Sequence, residues 1–412
     1  MINFIKSINI KRLLKFTNLN IQVATDDNLR HLIITGANGS GKTSLLKAIL
    51  SSWNAMADDK QMLFVDIEKS IEETKNRIKR WEEQKDDKLL TQATNNLKFQ
   101  QTLFNKVYGQ VVLEGLDYTK LWDDVRLGNF ILAYYSDSRL PNFVEIKNPE
   151  KPDLSYKNID DTKVDQFLRF MADLKIQQAL AKNEGLTPDA NQIEDWFVTF
   201  EDILKQIFND PTLQLKFNYK DYSFLICNNG KEFKFTQLSA GYAAALDIVV
   251  DLMLKMQQVN TLRRVYDMPG IVLIDEIETH LHLQLQKQIL PILTSVFPQI
   301  QFIVTSHSPF VLNSLKNVTV FDLEHQEAIE DLTEYSYEAL TEGYFGVHTE
   351  SSYIGQKLEK LKDLLSKGTL QSDEKATAQQ IARDFDAIPE VISPRYVGEY
   401  RQLIINRGEL LK

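Results

Sequence analysis

The chain has 412 residues, of which 43% are hydrophobic and 25% are charged, and its 47 basic and 57 acidic residues give a net charge of −10. This composition is typical of a globular protein, so it excludes wholesale disorder and collagen-like or Pro/Gly-rich structure. At about 100–200 residues per domain, the length predicts two or three domains, or one large domain with insertions. The acidic charge argues against unspecific duplex binding by the whole surface but is compatible with a local basic patch.

The cellular compartment is indicated by what the chain lacks. Its single cysteine, Cys227, excludes an internal disulfide framework and fits a reducing compartment. No apolar run approaches the ~20 residues of a membrane span, and the first residues lack the apolar stretch of a signal peptide. We therefore expect a cytoplasmic protein that has no membrane partner.

The N-terminal part of the chain predicts strands, a helix and a helical hairpin. Residues 8–10 and 19–23 alternate with period two, and residues 31–35 form an apolar run that ends at a glycine cluster, so all three predict strands. A helix pattern begins at Thr43. Residues 64–107 carry apolar side chains at three- and four-residue steps around a polar break, which predicts two helices; a coiled-coil-like hairpin and an ordinary amphipathic pair fit equally well.

The rest of the chain alternates strands and helices. Residues 129–135 predict a further buried strand, and residues 160–209 have a helical pattern. The remaining predicted strands are residues 213–217, 223–227, 231–235, 271–274, 302–305 and 318–321, with a hairpin turn at 228–230 and charged helical segments after 321.

The first motif is the glycine-rich segment that follows the strand at 31–35. It reads Gly-Ala-Asn-Gly-Ser-Gly-Lys-Thr over residues 36–43 and matches the P-loop pattern between a strand and a helix. Backbone N–H groups of such a loop surround phosphate oxygens at a helix N-terminus, so a purely structural glycine turn is the weaker interpretation. We expect Lys42 to contact the β- and γ-phosphates and Thr43 to bind Mg²⁺. The predicted phosphate-binding residues are Gly36, Asn38, Gly39, Ser40, Gly41, Lys42, Thr43 and Ser44.

The second motif is an apolar strand that ends in two carboxylates. Residues 271–274 are apolar, as in a buried parallel strand, and Asp275 and Glu276 follow at the end where doubly wound sheets bind ligands. Asp275 is expected to hold Mg²⁺ and Glu276 to polarise the attacking water. The alternative is an acidic turn without a ligand.

Two further motifs complete the set. His307 follows the strand at 302–305, and its spacing from Asp275 predicts the adjacent strand of the sheet, where it could sense the γ-phosphate; a structural histidine is the alternative. Ser239 precedes a helical run and by itself predicts an N-cap. Together with the other motifs, Ser239 and Gly241 predict a second phosphate-binding helix N-terminus. The order of the four motifs is the most specific signal in the sequence.

With these motifs the chain resembles the heads of ABC-type ATPases, and among them the RecF/OLD-like branch of AAA_15/AAA_21-like stand-alone ATPases. Residues 275–282, Asp-Glu-Ile-Glu-Thr-His-Leu-His, are similar to the DEPExHLHP stretch of that branch, with Ile277 and Leu283 in place of its prolines. The similarity covers about residues 2–50, 110–140 and 213–322. No glutamine lies where such ATPases place a nucleotide-sensing residue, which leaves Arg139 as a weak candidate.

The resemblance implies an α/β P-loop NTPase fold, an ABC-ATPase head with a mixed sheet, an inserted helical hairpin, a helical subdomain and a helical C-terminal tail. It also implies ATP and Mg²⁺ as ligands and a head-to-tail homodimer or larger homo-oligomer. The P-loop of one subunit and Ser239 and Gly241 of the other would share each ATP. The expected segments are 1–63 (head), 64–108 (hairpin), 109–158 (head), 159–212 (helical subdomain), 213–322 (head) and 323–412 (tail, with a possible partner-binding role).

The expected function is that of an ATP-hydrolysing switch. The Asp384-Phe385-Asp386 pair lies in a helical context with too few residues after it for a TOPRIM nuclease, so we interpret it as a solvated helix face. The resemblance to the stand-alone ATPases of Septu- and PARIS-type anti-phage systems implies a defence or DNA-surveillance complex with a separate effector nuclease. A RecF-like repair clamp on DNA and an ATP-dependent protein scaffold are the alternatives. A candidate DNA face, or a merely solvated surface, is formed by Lys6, Lys11, Arg12 and Lys15.

Overall fold

The structure is a computed structural model, which describes residues 4–58, 67–84, 87–148, 150–257, 266–329, 332, 335, 337–341, 352–389 and 393–411. The chain divides into two compact units, Met1–Glu334 and Tyr335–Lys412. Within the described residues, no helix is at once long enough and apolar enough to cross a membrane.

The strands and helices follow the chain in this order. The strands are β1 (Ser7–Leu13), β2 (Phe16–Gln22), β3 (His31–Thr35), β4 (Val111–Glu114), β5 (Ile131–Tyr135), β6 (Gln214–Asn218), β7 (Ser223–Asn228), β8 (Lys231–Lys234), β9 (Gly270–Ile274), β10 (Ile300–Thr305), β11 (Val318–Asp322) and β12 (Glu327–Ile329). The helices are α1 (Lys42–Asp58), α2 (Ile67–Gln84), α3 (Asp87–Tyr108), α4 (Tyr118–Arg126), α5 (Phe167–Asn183), α6 (Thr187–Phe208), α7 (Ala240–Lys255), α8 (Leu283–Val296), α9 (Pro309–Leu312), α10 (Tyr337–Ala339), α11 (Ser352–Ser366), α12 (Ser372–Asp386) and α13 (Pro394–Arg407).

The central sheet of the first unit brings the predicted motifs to one edge. Its strand order is β12-β11-β3-β10-β9-β5, and its strands run parallel except for β12. Every residue of β3, β9 and β10 is buried, as expected for apolar strands that are covered on both faces. Because β10 lies between β3 and β9, the segments after these three strands are neighbours. The predicted adjacency of the Asp275 and His307 strands is therefore confirmed.

A second, antiparallel sheet packs with α1 against the central sheet. Its order is β2-β1-β4, so β1 pairs with the strand that follows it and with a strand that comes about 100 residues later. The apolar side chains of this sheet share one core with α1 and with part of the central sheet, and Trp53 of α1 is fully buried in it. The P-loop helix is thus held between two sheets, as layered α/β packing requires.

The predicted helical hairpin is confirmed. Helices α2 and α3 pack on each other, and Gln100 Nε2 donates a hydrogen bond of 2.8 Å to Ser70 Oγ. Ile71 and Phe104 pack against the core that contains α1, so the hairpin is anchored on the P-loop helix. The expected start of the hairpin at residue 64 and part of its polar break, residues 85–86, lie outside the described residues.

The helical segment and the third sheet also form as expected. Helices α5 and α6 pack through an aromatic group in which Trp196 stacks on Phe200 at 5.6 Å and Phe167 meets Phe200 edge-on at 5.1 Å. The third sheet has the antiparallel order β6-β7-β8. Phe208, at the end of α6, stacks on Tyr242 near the start of α7 with 4.2 Å between ring centroids.

The second unit has its own core, built from α11, α12 and α13 around side chains such as Leu361, Leu365 and Phe385. Asp384 forms an ion pair with Lys357, and Asp386 accepts a 2.8 Å hydrogen bond from the Tyr400 hydroxyl. The Asp-Phe-Asp pair is therefore part of the packing of a helix, in agreement with its interpretation as a helix face. The six-segment division of the chain stays a prediction.

Most residues of helix α7 are buried, and the helix places a cluster of charged side chains in the protein interior. Asp251 accepts hydrogen bonds from the hydroxyls of Tyr135 at 2.8 Å and Tyr156 at 3.1 Å, and Lys255 lies 3.2 Å from it. One turn earlier, Asp247 is 3% exposed. Burial, and then the negative charge of Asp251, raises the pKa of Asp247 from 3.8 to about 7.

We predict that this raised pKa makes stability depend on pH. The folded chain keeps the proton of Asp247 up to about pH 7, whereas the unfolded chain loses it near pH 4, so the free energy of unfolding falls as pH rises between these values. Relative to Asp247→Asn, the wild type should lose about 1.4 kcal/mol per pH unit in that window and nothing further above it. Urea unfolding at several pH values measures the difference, and a difference that is constant with pH contradicts the prediction.

Candidate nucleotide-binding site

The loop between β3 and α1 has a backbone that requires glycine. Gly36, Gly39 and Gly41 have φ values of 127°, 79° and 110°, which side chains of L-residues rarely allow. A Cβ on Gly41 would also lie 3.0 Å from Leu14 Cδ1. Helix α1 begins at Lys42, so the first N–H groups of a 17-residue helix open at this loop. This geometry fits a phosphate group.

Lys42 is a buried cation at the centre of the site. Its Nζ donates hydrogen bonds to Gly36 O at 2.9 Å and to Ala37 O at 3.1 Å. Burial lowers the pKa of Lys42, while the carboxylates of Glu276, Glu278, Asp275 and Asp322 act in the opposite direction. The Nζ of Lys42 is thus a hydrogen-bond donor beside the loop, in the field of several carboxylates.

Asp275 connects the P-loop to the end of β9. Its Oδ1 accepts hydrogen bonds from Thr43 Oγ1 at 3.1 Å and from Thr305 Oγ1 at 2.7 Å. Its Oδ2 is buried and has no hydrogen-bond partner among the described residues. An oxygen of this kind, next to a threonine hydroxyl, fits a hard divalent cation such as Mg²⁺.

The donor set also indicates how such a cation would be held. In the part of the chain that the structure describes, no group of three or more His, Cys, Asp or Glu side chains could hold a metal ion. Mg²⁺ typically takes one or two protein oxygens and completes its shell with water and substrate phosphates. Thr43 and Asp275 fit that mode, and they do not fit a complete protein cage.

Glu276 lies in a strained turn after Asp275. Its φ is 44°, in the left-handed region that an L-residue enters only where the surroundings hold it. Its N–H donates a 2.7 Å hydrogen bond to Thr305 Oγ1, and its carboxylate is half-buried, with Thr279 Oγ1 3.5 Å from Oε2. The same threonine hydroxyl, that of Thr305, thus fixes both members of the Asp-Glu pair.

His307 lies after β10, close enough to Lys42 to respond to its charge. The pKa of His307 is lowered by burial and by the positive charge of Lys42, so its imidazole is mainly neutral near pH 7. Its backbone N–H donates a 2.5 Å hydrogen bond to Glu278 Oε1, and burial raises the pKa of Glu278. A neutral imidazole can donate a hydrogen bond to a phosphate oxygen without adding charge.

Two residues of this network were missed by the sequence analysis. Thr305 was assigned only to a strand, and Glu278 was noted only as part of a motif. Both act on backbone N–H groups of the site, Thr305 on Glu276 and Glu278 on His307. In the sequence, these roles were indicated by the position of both residues at or just after the ends of two strands that are neighbours in the sheet.

Arg139 does not have the position expected for a nucleotide sensor. Its guanidinium is buried and donates hydrogen bonds to four backbone carbonyls, those of Ser136, Asp275, Glu276 and Ile277, at 3.0–3.3 Å. These donors are directed at the backbone of the turn after β9. Nη1 and Nη2 of Arg139 are therefore used on the protein itself, which gives no support to the expectation that it replaces the missing glutamine.

Ser239 and Gly241 lie at the start of α7. Ser239 occupies the N-cap position, but its exposed side chain makes no capping hydrogen bond. Gly241 is buried, and a Cβ there would lie 3.1 Å from His280 O. Tyr242 meets His282 edge-on at 5.4 Å. Among the described residues, no hydrogen bond joins Ser239 or Gly241 to residues 36–44.

Comparison with known proteins adds a family match. Residues 135–313 match the AAA_21 family, described as "AAA domain, putative AbiEii toxin, Type IV TA system". The chain is similar to the Septu protein PtuA of Bacillus mycoides (strain KBAB4), with 26% identity over 382 residues that cover 88% of this chain and 48% of that protein. It is also similar to the Retron Ec83 probable ATPase of Escherichia coli, with 35% identity over 116 residues, or 27% of this chain and 21% of that protein.

The relatives differ in how much of their own length is matched. The chain spans about half the length of the PtuA relative and about a fifth of the retron ATPase.

Among solved structures, the SMC head bound to the C-winged helix domain of ScpA matches with a TM-score of 0.40 and 14% identity, over 79% of this chain and 96% of that one. The family match therefore places an AAA domain at residues 135–313 of the chain.

Proposed function

We propose that the chain is an ATP-driven switch that closes as a head-to-tail dimer and hydrolyses ATP at the shared interface. One observation carries this proposal, the hydrogen bond from Thr43 Oγ1 to Asp275 Oδ1 at 3.1 Å beside an unpartnered Oδ2. It joins the phosphate-binding loop to the acidic end of β9 at a point where Mg²⁺ and a triphosphate fit together.

In the binding step, the P-loop residues 36–44 would surround the phosphates with backbone N–H groups. Lys42 would turn from Gly36 O and Ala37 O to the β- and γ-phosphate oxygens, where it makes charge-assisted hydrogen bonds. Thr43 and Asp275 would hold Mg²⁺, which supplies neutralisation of phosphate charge when bound. That neutralisation matters here because Asp275, Glu276 and Glu278 already place negative charge beside Lys42.

In the hydrolysis step, Glu276 would orient and polarise the attacking water. His307 would donate a hydrogen bond to the γ-phosphate, and Lys42 would stabilise the charge that develops on it. Phosphoryl transfer needs mainly positioning and electrostatic stabilisation, which these three side chains supply from fixed elements. Thr305 and Glu278 hold Glu276 and His307 through their backbone N–H groups.

We predict that Glu276→Gln binds ATP, loses hydrolysis and accumulates as a dimer. Loss of the base should reduce the rate constant by about 10²–10⁴-fold, while the phosphate contacts of the P-loop remain. Lys42→Ala should instead weaken ATP binding by at least about tenfold, because a charge-assisted contact is lost. Calorimetry measures binding, phosphate release measures turnover, and light scattering measures the dimer.

The exposed Lys47 provides a matched control for this experiment, because it lies one turn further along α1. Lys47→Ala should bind and hydrolyse ATP like the wild type. Normal turnover by Glu276→Gln would contradict the proposed role of Glu276 in hydrolysis. Unchanged ATP affinity of Lys42→Ala would contradict the proposed binding of ATP at the P-loop.

Dimerisation would complete the site, because Ser239 and Gly241 make no hydrogen bond to the P-loop of their own chain among the described residues. ATP would contact two subunits in the closed state and one in the open state, so its binding would shift the population towards closure. The free hydroxyl of Ser239, at the N-terminus of a 16-residue helix, is a suitable donor for a partner's γ-phosphate.

Mixing two inactive variants tests this shared site. Lys42→Ala and Ser239→Arg should each be inactive alone, because both sites of either homodimer are damaged. An equal mixture should recover about a quarter of wild-type turnover, since half of the dimers are mixed and each mixed dimer has one intact site. Phosphate release from the mixture measures the recovery. Activity no higher than the sum of the two variants alone would contradict a shared site.

We further propose that this ATPase is a subunit of a bacterial anti-phage defence or DNA-surveillance complex whose effector nuclease is a separate protein. The similarity to a Septu protein and to retron ATPases supports the defence role. The Asp384–Asp386 pair is used in helix packing, through Lys357 and Tyr400.

Co-expression with the product of the adjacent gene tests this role. We predict that the Glu276→Gln dimer co-purifies with that product and that the complex cleaves nucleic acid under conditions in which the ATPase alone does not. An ATPase that stays alone but binds DNA in an ATP- and salt-dependent way would contradict the effector model and favour the clamp. The basic face supports the clamp weakly, because Lys6 already pairs with Asp27.

A further inference from the structure

We infer that Arg139 is a positioning residue for hydrolysis, which holds the backbone of the turn at Asp275–Ile277 so that the carboxylate of Glu276 points at the attacking water. The inference deepens the proposed function and rests on it. It assigns a role to a residue that the sequence suggested only as a weak candidate for contact with the nucleotide.

The guanidinium of Arg139 has a geometry that suits this role. Nη1 donates to Ser136 O and Asp275 O, both at 3.0 Å, and Nη2 donates to Glu276 O at 3.3 Å and Ile277 O at 3.1 Å. One side chain therefore binds the carbonyls of three consecutive residues, and the middle one is the proposed base. The carbonyl of Ser136, in the segment after β5, is bound by the same guanidinium.

The backbone conformation of the turn depends on these hydrogen bonds. The ladder of β9 ends at Ile274, so the next carbonyls need donors from outside the sheet. Glu276 has a φ of 44°, which an L-residue keeps only where its surroundings impose it. The N–H of Glu276 donates to Thr305 Oγ1, and its carbonyl accepts from the Thr279 N–H at 2.9 Å and from Arg139 at 3.3 Å. The peptide groups on both sides of the carboxylate-bearing residue are thereby fixed.

The chemistry of arginine is also required at this position. A guanidinium presents donors in a rigid plane and can bind several carbonyls at once, whereas the ammonium of lysine is a compact group that cannot span the same turn. Arg139 is buried, which lowers the pKa of its guanidinium, and the carboxyl groups of Asp247 on α7, Glu278 and Asp275 act in the opposite direction when they are ionised. The arginine thus lies between the helix that begins at Ser239 and the turn that carries Glu276.

This role predicts a kinetic signature that differs from nucleotide contact. A residue that touches phosphate would change ATP affinity, but a residue that orients the base would change the rate constant and leave affinity almost constant. Misplacement of a reacting group by about 1 Å can reduce a rate about 100-fold. The decisive variants are therefore those that remove the planar fork with the least change in volume.

The experiment compares Arg139→Lys, Arg139→Met and Arg139→Ala with the wild type. We expect Arg139→Lys and Arg139→Met to reduce kcat by about 10–100-fold, while the affinity for a non-hydrolysable ATP analogue changes by less than about threefold. Guanidinium ion at a concentration below that which unfolds the protein should restore part of the activity of Arg139→Ala. The matched control is Arg169→Met, because Arg169 lies on α5 beside Glu150 and Gln166, and its kcat should be unchanged.

The outcomes separate the inference from the proposed function. If the wild type does not hydrolyse ATP, the proposed function fails and the role of Arg139 fails with it. If the wild type is active and Arg139→Lys keeps full kcat, only the inference is overturned. A loss of affinity equal to the loss of kcat would overturn it in favour of nucleotide contact. Should Arg139→Met fail to fold, the lysine variant and guanidinium rescue decide the question, and absence of both effects overturns the inference.

Discussion

The carboxylate of Asp275 is the group on which the rest of the site depends. It is fully buried at the end of β9, and one of its oxygens joins Thr43 of the P-loop helix to Thr305 of the intervening strand. A buried charge is stable only when it is hydrogen-bonded or binds a cation. Asp275 therefore fixes the relative positions of three neighbouring strands at their carboxyl ends and leaves one oxygen for a ligand.

A second constraint is the balance of charge around Lys42. Burial disfavours its ammonium form, and four carboxylates favour it. A triphosphate adds more negative charge to this region, so binding requires more positive charge than a lone lysine supplies. In the proposed mechanism, Mg²⁺, the first N–H groups of α1 and the start of α7 in a second subunit would be the sources. The same electrostatics that stabilise the nucleotide would then favour the closed dimer.

Much of the fold could be predicted from the sequence because its elements have strong local patterns. The apolar runs of β3, β9 and β10 and the glycines at 36, 39 and 41 each have a meaning that depends on a few adjacent residues. The adjacency of the Asp275 and His307 strands followed from their spacing along the chain. The two helices of the hairpin followed from the three- and four-residue spacing, which left open whether they form a coiled-coil-like hairpin or an ordinary amphipathic pair.

The rest of the site could not be predicted, because it depends on side chains that bind a distant backbone. Arg139 binds carbonyls about 140 residues away, and Thr305 and Glu278 act across strands that are neighbours only in the fold. No local pattern distinguishes an arginine that contacts a phosphate from one that holds a turn. Likewise, Ser239 taken alone predicts an N-cap, whereas the four motifs together predict phosphate binding, and only the structure shows that its hydroxyl is not used in capping.

The close approach of Gly241 to His280 O affects how mutations of this helix start would be interpreted. A methyl group at position 241 would displace the loop at 280–282 within its own subunit, before any second molecule is involved. A glycine-to-alanine change would thus mix an internal rearrangement with a lost intermolecular contact. Ser239 is exposed, so its substitution avoids this ambiguity. Variants at Ser239 would therefore report on the proposed cooperation between subunits in living cells more clearly than variants at Gly241.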